Sequence, residues 1–280
     1  MNPTRRDFLK TTLAASATTA ALAVGAKASA AEKPAMSSTR DYYELRSYRL
    51  KPGASSALLD AYLEKTFLPA LGTRGFLPVG VFTEVEVDKK TVTASPKADS
   101  PVWVLITHPT LESFVNVGAE LNAEPTAKTS GAAYLEVKKA TPAFDRVDTW
   151  LLRAFAGQPK LAVPAFSKSK VASRVFEMRD YESHSEGRAL NKMAMFDEGE
   201  IALMRDLGMS PVFFGQALAG PNLPHLRYIT CAPDLASHLA NWKKFGPDPR
   251  WVKMKDLPQY ADNTSKNTAR FLVPTAYSQL

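Results

Sequence analysis

Glu44, Arg46 and Tyr48 alternate with Tyr43, Leu45 and Ser47, and the arrangement returns 133 residues later. There Glu177, Arg179 and Tyr181 alternate with Phe176, Met178 and Asp180. Successive side chains of an extended strand point to opposite faces, so each Glu-Arg-Tyr triplet shares one face. Such a triplet has obvious chemistry. Arginine grips an anionic group through its planar fork, glutamate orients a bound molecule or moves a proton, and tyrosine donates a hydrogen bond. The same residues also suit a purely structural role, two Glu–Arg pairs that satisfy each other away from water, because buried charges are normally paired.

A second aromatic and charged stretch runs Trp242-Lys243-Lys244-Phe245-Gly246-Pro247-Asp248-Pro249-Arg250-Trp251. Its rings either anchor a core or line the mouth of a cavity, and Trp242 and Trp251 join the candidate ligand-binding residues on the second reading. Other chemistries find little support. The four histidines, His108, His184, His225 and His238, have no metal-ligand spacing between them or with a carboxylate or thiolate. The lone Cys231 rules out an intramolecular disulfide and covalent haem attachment through a Cys pair. His108 and Cys231 sit in matching places after matching strands, and both read as packing residues. No nucleophile elbow, phosphate loop or dinucleotide fingerprint occurs, so no metal and no cofactor is expected.

The elements that must position these residues follow from apolar periodicity and its punctuation. In the first half, Tyr43 to Leu50 has strand character, and Pro52-Gly53 ends it. Ser55-Ser56 can cap a helix carrying Leu58, Leu59, Tyr62, Leu63 and Phe67. Strands follow at Phe76 to Val87 and Val102 to Thr107, then a helix from Thr110 to Glu124, then an apolar segment at Trp150-Leu151-Leu152. The second half repeats the order. Val175 to Tyr181 is a strand, and Gly187 to Leu207 a helix that buries Leu190, Met193, Phe196, Ile201 and Met204. Strands at Pro211 to Ala217 and Leu226 to Thr230, a helix at Leu235 to Phe245 and a closing strand at Phe271 to Pro274 complete it. A 133-residue period is a duplicated domain, since solenoid repeats span about 20–50 residues.

Each half is therefore β-α-β-β-α-β, the split βαβ pattern. The expected fold is α+β, with two tandem ferredoxin-like domains forming an intramolecular dimeric α/β barrel. Each sheet has helices on one face and must bury the other against its twin. Because Tyr43, Leu45, Phe176 and Met178 are the more apolar set, they are expected to face the helices. The Glu-Arg-Tyr triplets are then expected to face a cavity between the sheets. The expected boundaries are 41–157 for the first domain, 158–172 for a linker and 173–280 for the second domain.

Residues 1–30 read as an export signal rather than part of the fold. Arg5-Arg6-Asp7-Phe8-Leu9-Lys10 precedes a weakly apolar run, and Ala28-Ser29-Ala30 suits signal-peptidase cleavage. The run is shorter than the about 20 apolar residues of a membrane span, and the arginine pair is of the twin-arginine type. Residues 31–40 form a polar lead-in. The expectation is a periplasmic or secreted bacterial protein whose partners are the twin-arginine export machinery, a small molecule and, as an open alternative, a second copy of itself. Net charge is +7, falling to +4 without residues 1–30. No basic block is interleaved with aromatics, so nucleic acid is not an expected partner.

The Tyr/Phe-Glu-Leu/Met-Arg-x-Tyr strands resemble the opening of the NIPSNAP domain. Trp242 through Phe245 to Asp248-Pro249-x-Trp251 resembles that domain's helix end, and Phe271-Leu272-Val273-Pro274-Thr275 with Tyr277-Ser278 its closing strand and tail. The resemblance covers about 41–280 and is closer in the second half. In the first half, Phe114 and Glu124-Pro125 echo Trp242 and Asp248-Pro249, and the second tryptophan is missing. The resemblance implies a dimeric α/β barrel near antibiotic-biosynthesis-type monooxygenases, and no catalytic residues. On this basis the chain is expected to bind a small anionic or aromatic molecule between its sheets, with cofactor-independent oxygenation or isomerisation as the chemistry if it turns over. The alternative is a non-catalytic interaction protein with structural Glu–Arg pairs.

Overall fold

The computed structural model describes residues 39–280, so the export signal and most of the lead-in lie outside the described residues. In chain order the strands are β1 (Tyr42–Arg49), β2 (Gly80–Asp88), β3 (Thr93–Pro96), β4 (Val102–His108), β5 (Arg146–Ala154), β6 (Val175–Glu182), β7 (Pro211–Ala219), β8 (His225–Ala232) and β9 (Lys266–Pro274). Helix α1 follows β1 and has three continuous pieces, Ala57–Tyr62, a π turn at Leu63–Phe67, and Leu68–Gly72. Helix α2 is Leu111–Ala123. Helix α3 repeats the build of α1, with Glu186–Met195, a π turn at Phe196–Glu200, and Ile201–Asp206. Helices α4 (Leu235–Phe245) and α5 (Pro249–Lys255) complete the second half.

Each half has the split βαβ order, β2-β4-β1-β5 and β7-β8-β6-β9, with antiparallel neighbours. The halves join at two seams, β5 to β7 and β9 to β2, so eight strands close into a barrel and β3 extends the β2 hairpin. Closure removes the unpaired edges that either sheet alone would expose. Both halves fall in one compact unit. The expected linker is packed as well. Gln158 Nε2 donates to the carbonyls of Pro211 and Val212, and Leu161, Val163 and Phe166 lie against the barrel core.

The barrel interior is filled. Tyr43, Leu45, Phe82, Trp103, Leu105, Trp150 and Leu152 of the first half meet Phe176, Met178, Phe213, Ile229, Cys231 and Leu272 of the second. Large apolar side chains of this kind stabilise by about 1.5–3 kcal/mol each when buried, which favours a dry, interdigitated interior over an open one. The expected orientation of β1 and β6 is therefore inverted. Tyr43, Leu45, Phe176 and Met178 point into the barrel, while Tyr48 and Tyr181 belong to the two clusters beneath the helices. Closure is the physical reason. Eight strands converge on the interior and bury the apolar residues of β1 and β6 there, whereas the sheet–helix layer leaves Arg46 and Arg179 partly exposed.

Two smaller expectations also change. Leu190 is 54% exposed. Met193 and Phe196 set the buried face of α3, and one turn earlier that face falls on Ala189 and Lys192, which are buried. Register pairs Tyr43 with Thr107 and Phe176 with Cys231, so Cys231 matches Thr107 and His108 matches Ala232. One glycine is dictated by geometry. Gly220 has φ +123°, and a Cβ there would lie 2.6 Å from Trp150 Cδ1. The close approach brings the Pro221 carbonyl to 3.0 Å from Trp150 Nε1.

Candidate functional site

The structure brings each Glu-Arg-Tyr triplet together between a sheet and its helices. In the first half Arg46 Nε donates to Glu44 Oε1 at 2.5 Å and Nη1 to the Tyr48 hydroxyl at 3.1 Å. His108 Nε2 lies 2.9 Å from Glu44 Oε2, and the Arg46 guanidinium sits 5.1 Å over the Phe67 ring. Burial opposes ionisation of Glu44, but the His108 hydrogen bond and the charge of Arg46 outweigh it and hold the carboxyl below its ordinary value. This half behaves as the structural reading expects, with its charges mutually satisfied.

The second half is built differently around the same strand. Glu177 is 1% exposed and accepts from three side chains. His238 Nε2 lies 2.8 Å and Trp242 Nε1 2.5 Å from Oε2, and Arg179 Nη1 is 3.3 Å from Oε1. Burial again opposes ionisation, and the His238 bond and the Arg179 charge again prevail, so the carboxyl is held below its ordinary value. Arg179 lies between rings, 4.5 Å over Trp242 and 5.6 Å over Tyr181. Tyr181 and Tyr228 share a hydrogen bond of 3.0 Å, and burial chiefly pushes the Tyr181 phenol up to about 12.

Beside this group lies a buried ion pair, Lys192 Nζ to Glu200 Oε2 at 3.1 Å. Lys192 is ringed by Phe196 at 4.9 Å, Tyr181 at 5.4 Å and Trp251 at 5.5 Å. Trp251 reaches this position by packing on Phe245 at 4.8 Å. Burial raises the Glu200 carboxyl above its ordinary value despite Lys192. The two glutamates thus hold opposite tendencies, Glu177 toward the ion and Glu200 toward the acid.

Local sequence explains the placement. Thr110 and Asp234 cap α2 and α4 by accepting from Ser113 N and Ser237 N. Counted from those caps, Phe114 corresponds to His238, Gly118 to Trp242, and Ala127 to Trp251. The match of Phe114 with Trp242 is corrected accordingly. The imidazole that meets the strand glutamate comes from strand β4 in the first half and helix α4 in the second. His238 and Trp242 are four residues apart on one helix face, a spacing that was legible in the sequence. Lys192 and Glu200 lie one turn before and after the buried Phe196 on the same helix face and were missed because an apolar pattern passes over charged residues.

A second charged group lies inside the barrel and was not foreseen. Arg227, 1% exposed, binds Asp180 through Nε and Nη2, and Arg270 Nη1 meets the same carboxylate at 2.7 Å. Arg227 sits 4.2 Å over Trp150 and 5.7 Å over Trp103, and Arg270 5.6 Å over Trp103. Trp103 Nε1 donates to Glu84 at 3.0 Å. The sequence signal was the lone Arg227 in an apolar strand. Among the described residues no group of three or more His, Cys, Asp or Glu side chains is placed to hold a metal ion, and no helix is long and apolar enough to cross a membrane.

No curated protein matches the sequence. Two solved structures share the fold along most of both chains. One, from Lactobacillus acidophilus and provisionally described as a monooxygenase, is 7% identical with a TM-score of 0.50, covering 84% of this chain and 94% of its own. The other, from Fusobacterium nucleatum with the same provisional description, is 7% identical with a TM-score of 0.52, covering 84% and 93%. An uncharacterised NIPSNAP-like domain protein from Burkholderia xenovorans is 18% identical over 38% of this chain and 89% of its own, with a TM-score of 0.34. The NIPSNAP family model matches residues 176–279, the half that carries Glu177, Arg179, His238 and Trp242. The second half of the chain, residues 176–279, is thus similar to the NIPSNAP domain.

Proposed function

We propose that this protein binds a small molecule with an anionic, ring-bearing character in the sheet–helix layer of its second half, with Arg179 as the anchor. The observation that carries the reading is the partly exposed guanidinium of Arg179, which has few partners and whose Nε is itself buried. Its side chain is 22% exposed. It spends one N–H on Glu177 at 3.3 Å, and its Nε has no partner among the described residues. Arg46, by contrast, uses both Nε and Nη1 within its own triplet. A guanidinium held between two ring faces with unspent donors suits a carboxylate carried on an aromatic or similarly flat body.

Binding ranks ahead of catalysis for a geometric reason. Cofactor-independent oxygenation and isomerisation both begin by removing a proton from the bound molecule. Glu177 is ionised but saturated by three donors, and Glu200 is 1% exposed and engaged with Lys192. The specific observation favouring the catalytic reading is the opposed tendencies of these two glutamates, the pattern by which one site divides acid and base roles. Oxygen uptake with the bound molecule would separate the two readings.

The test is native mass spectrometry of protein purified from its host. A small-molecule adduct is expected on the wild type, absent from folded Arg179→Met and retained by Arg46→Met. An adduct that survives Arg179→Met overturns the site. Export through the twin-arginine pathway is part of the same proposal and rests on Arg5-Arg6 and Ala28-Ser29-Ala30. A reporter fused after residue 40 should leave the cytoplasm, and replacing both arginines by lysine should retain it there.

A further inference from the structure

Lys192 and Glu200 of α3 stand where α1 carries Leu59 and Phe67, at the same spacing of 133 residues that relates Arg46 to Arg179. In the first half the Phe67 ring lies 5.1 Å from the Arg46 guanidinium, whose Nε and Nη1 are both spent within the triplet. In the second half the residue at that position is the carboxylate Glu200, and Arg179 keeps its Nε without a partner among the described residues. An apolar Leu–Phe pair fills such a layer and avoids the desolvation of two charges. Packing alone therefore does not call for Lys192 and Glu200.

Glu200 is 1% exposed, and its one donor among the described residues is Lys192 Nζ at 3.1 Å. The cations that act on it are Lys192 on its own helix and Arg179 on β6. Its charge in turn reaches the phenols of Tyr181 on β6 and Tyr228 on β8. From α5, Trp251 covers Lys192 at 5.5 Å and Met254 lies against Gly199. From α4, His238 and Trp242 are spent on Glu177. Asp197 and Glu198 of the same π turn accept elsewhere, from Gly157 N and the Tyr260 hydroxyl.

Arg179 and Lys192 are thus balanced by Glu177 and Glu200 before anything binds. An anion docked on Arg179 adds one negative charge where charges are weakly screened, and a proton on a nearby carboxylate restores the balance. Glu177 is held as the ion by three donors, whereas burial already favours the acid form of Glu200.

We infer, on the reading that Arg179 anchors an anion, that the anion enters together with one proton, taken from solvent by Glu200 while Lys192 stays charged. Arg179 and Lys192 then face Glu177 and the bound anion, and the layer is neutral again.

Calorimetric titration of the full chain with 2-naphthalenesulfonate, whose charge does not change with pH, tests this in buffers of different ionisation enthalpy. Saturable binding that Arg179→Met abolishes is expected, with uptake approaching one proton per bound anion. Affinity should fall by up to about tenfold per pH unit somewhere between about pH 5 and about pH 8. Glu200→Gln is permanently neutral, so it should bind with no uptake and with an affinity that no longer varies with pH. Wild-type binding at Arg179 without proton uptake overturns the inference and leaves the Arg179 reading intact, whether or not Glu200→Gln folds. Uptake undiminished in Glu200→Gln assigns the proton to another group and overturns it as well. An absence of saturable binding, or binding that survives Arg179→Met, overturns the Arg179 reading and the inference with it.

Discussion

Glu177 shows how one carboxylate can be held by three donors of different origin, a strand neighbour and two residues of α4. Glu177→Gln keeps the shape and removes the charge. It should cost about 3 kcal/mol in denaturant unfolding at neutral pH, because Arg179 loses its counter-charge in a largely buried layer. The pH dependence has a definite sign. The folded-state value of Glu177 is depressed, so its stabilisation is fully present above the unfolded value near about 4.3 and disappears as pH falls through the folded one. The stability gap between wild type and Glu177→Gln should therefore close on acidification. A gap that widens toward low pH would refute the assignment. The Glu-Arg-Tyr triplets were legible at this scale from alternation alone. Their partners His108 and His238 were not, because the two imidazoles reach equivalent glutamates from different elements.

The matched π turns of α1 and α3 carry the clearest divergence between elements. Leu63–Phe67 and Phe196–Glu200 stand at equivalent positions. Lys192 and Glu200 therefore correspond to Leu59 and Phe67, which are both buried in the first half. A π turn inserts one residue into a helix and is often found at functional sites. The first half thus supplies an apolar replacement for the Lys192–Glu200 pair. Lys192→Leu alone should destabilise by about 3 kcal/mol, because it leaves a buried carboxylate without its counter-ion. The double variant Lys192→Leu with Glu200→Phe should be as stable as wild type or more so, by about 1–3 kcal/mol. Thermal and denaturant unfolding of the three proteins checks this, and a double variant less stable than the single one would contradict it. The sequence showed both helices as apolar periodicities. It gave no sign of the π turns, and the charged Lys192 and Glu200, one turn either side of Phe196 on the buried face, are passed over by an apolar pattern.

Across the whole molecule, the two halves complete each other inside the barrel. By register, Ser47, Trp103 and Trp150 of the first half correspond to Asp180, Arg227 and Arg270 of the second. One half brings two indoles and the other two guanidiniums with their carboxylate, and the rings and cations stack across the interior. Two copies of either half would lose this complementarity, by crowding like charges or by leaving the indoles without cations. Asp180→Asn should therefore cost about 3–5 kcal/mol, since Arg227 is wholly buried and would be left without a counter-charge. Burial opposes the Asp180 charge, but Arg227 and Arg270 depress its folded-state value, so this contribution too is lost as pH falls. An Asp180→Asn protein of wild-type stability at neutral pH would show the cluster to be incidental.

The sequence by itself determined the duplication, the element order of each half and the grouping of Glu, Arg and Tyr along β1 and β6, because alternation and periodicity are local properties of the chain. The tertiary structure decided what those residues face. Closure of eight strands buries the interior from both halves, so Tyr43, Leu45, Phe176 and Met178 occupy it beside the paired Asp180 and Arg227, and the Glu-Arg-Tyr triplets lie beneath the helices. The same closure sets Arg227 against Trp150, residues 77 positions apart in the chain. Strand pairing between the halves has no signature in either half alone, and it depends on the shape that both sheets make together.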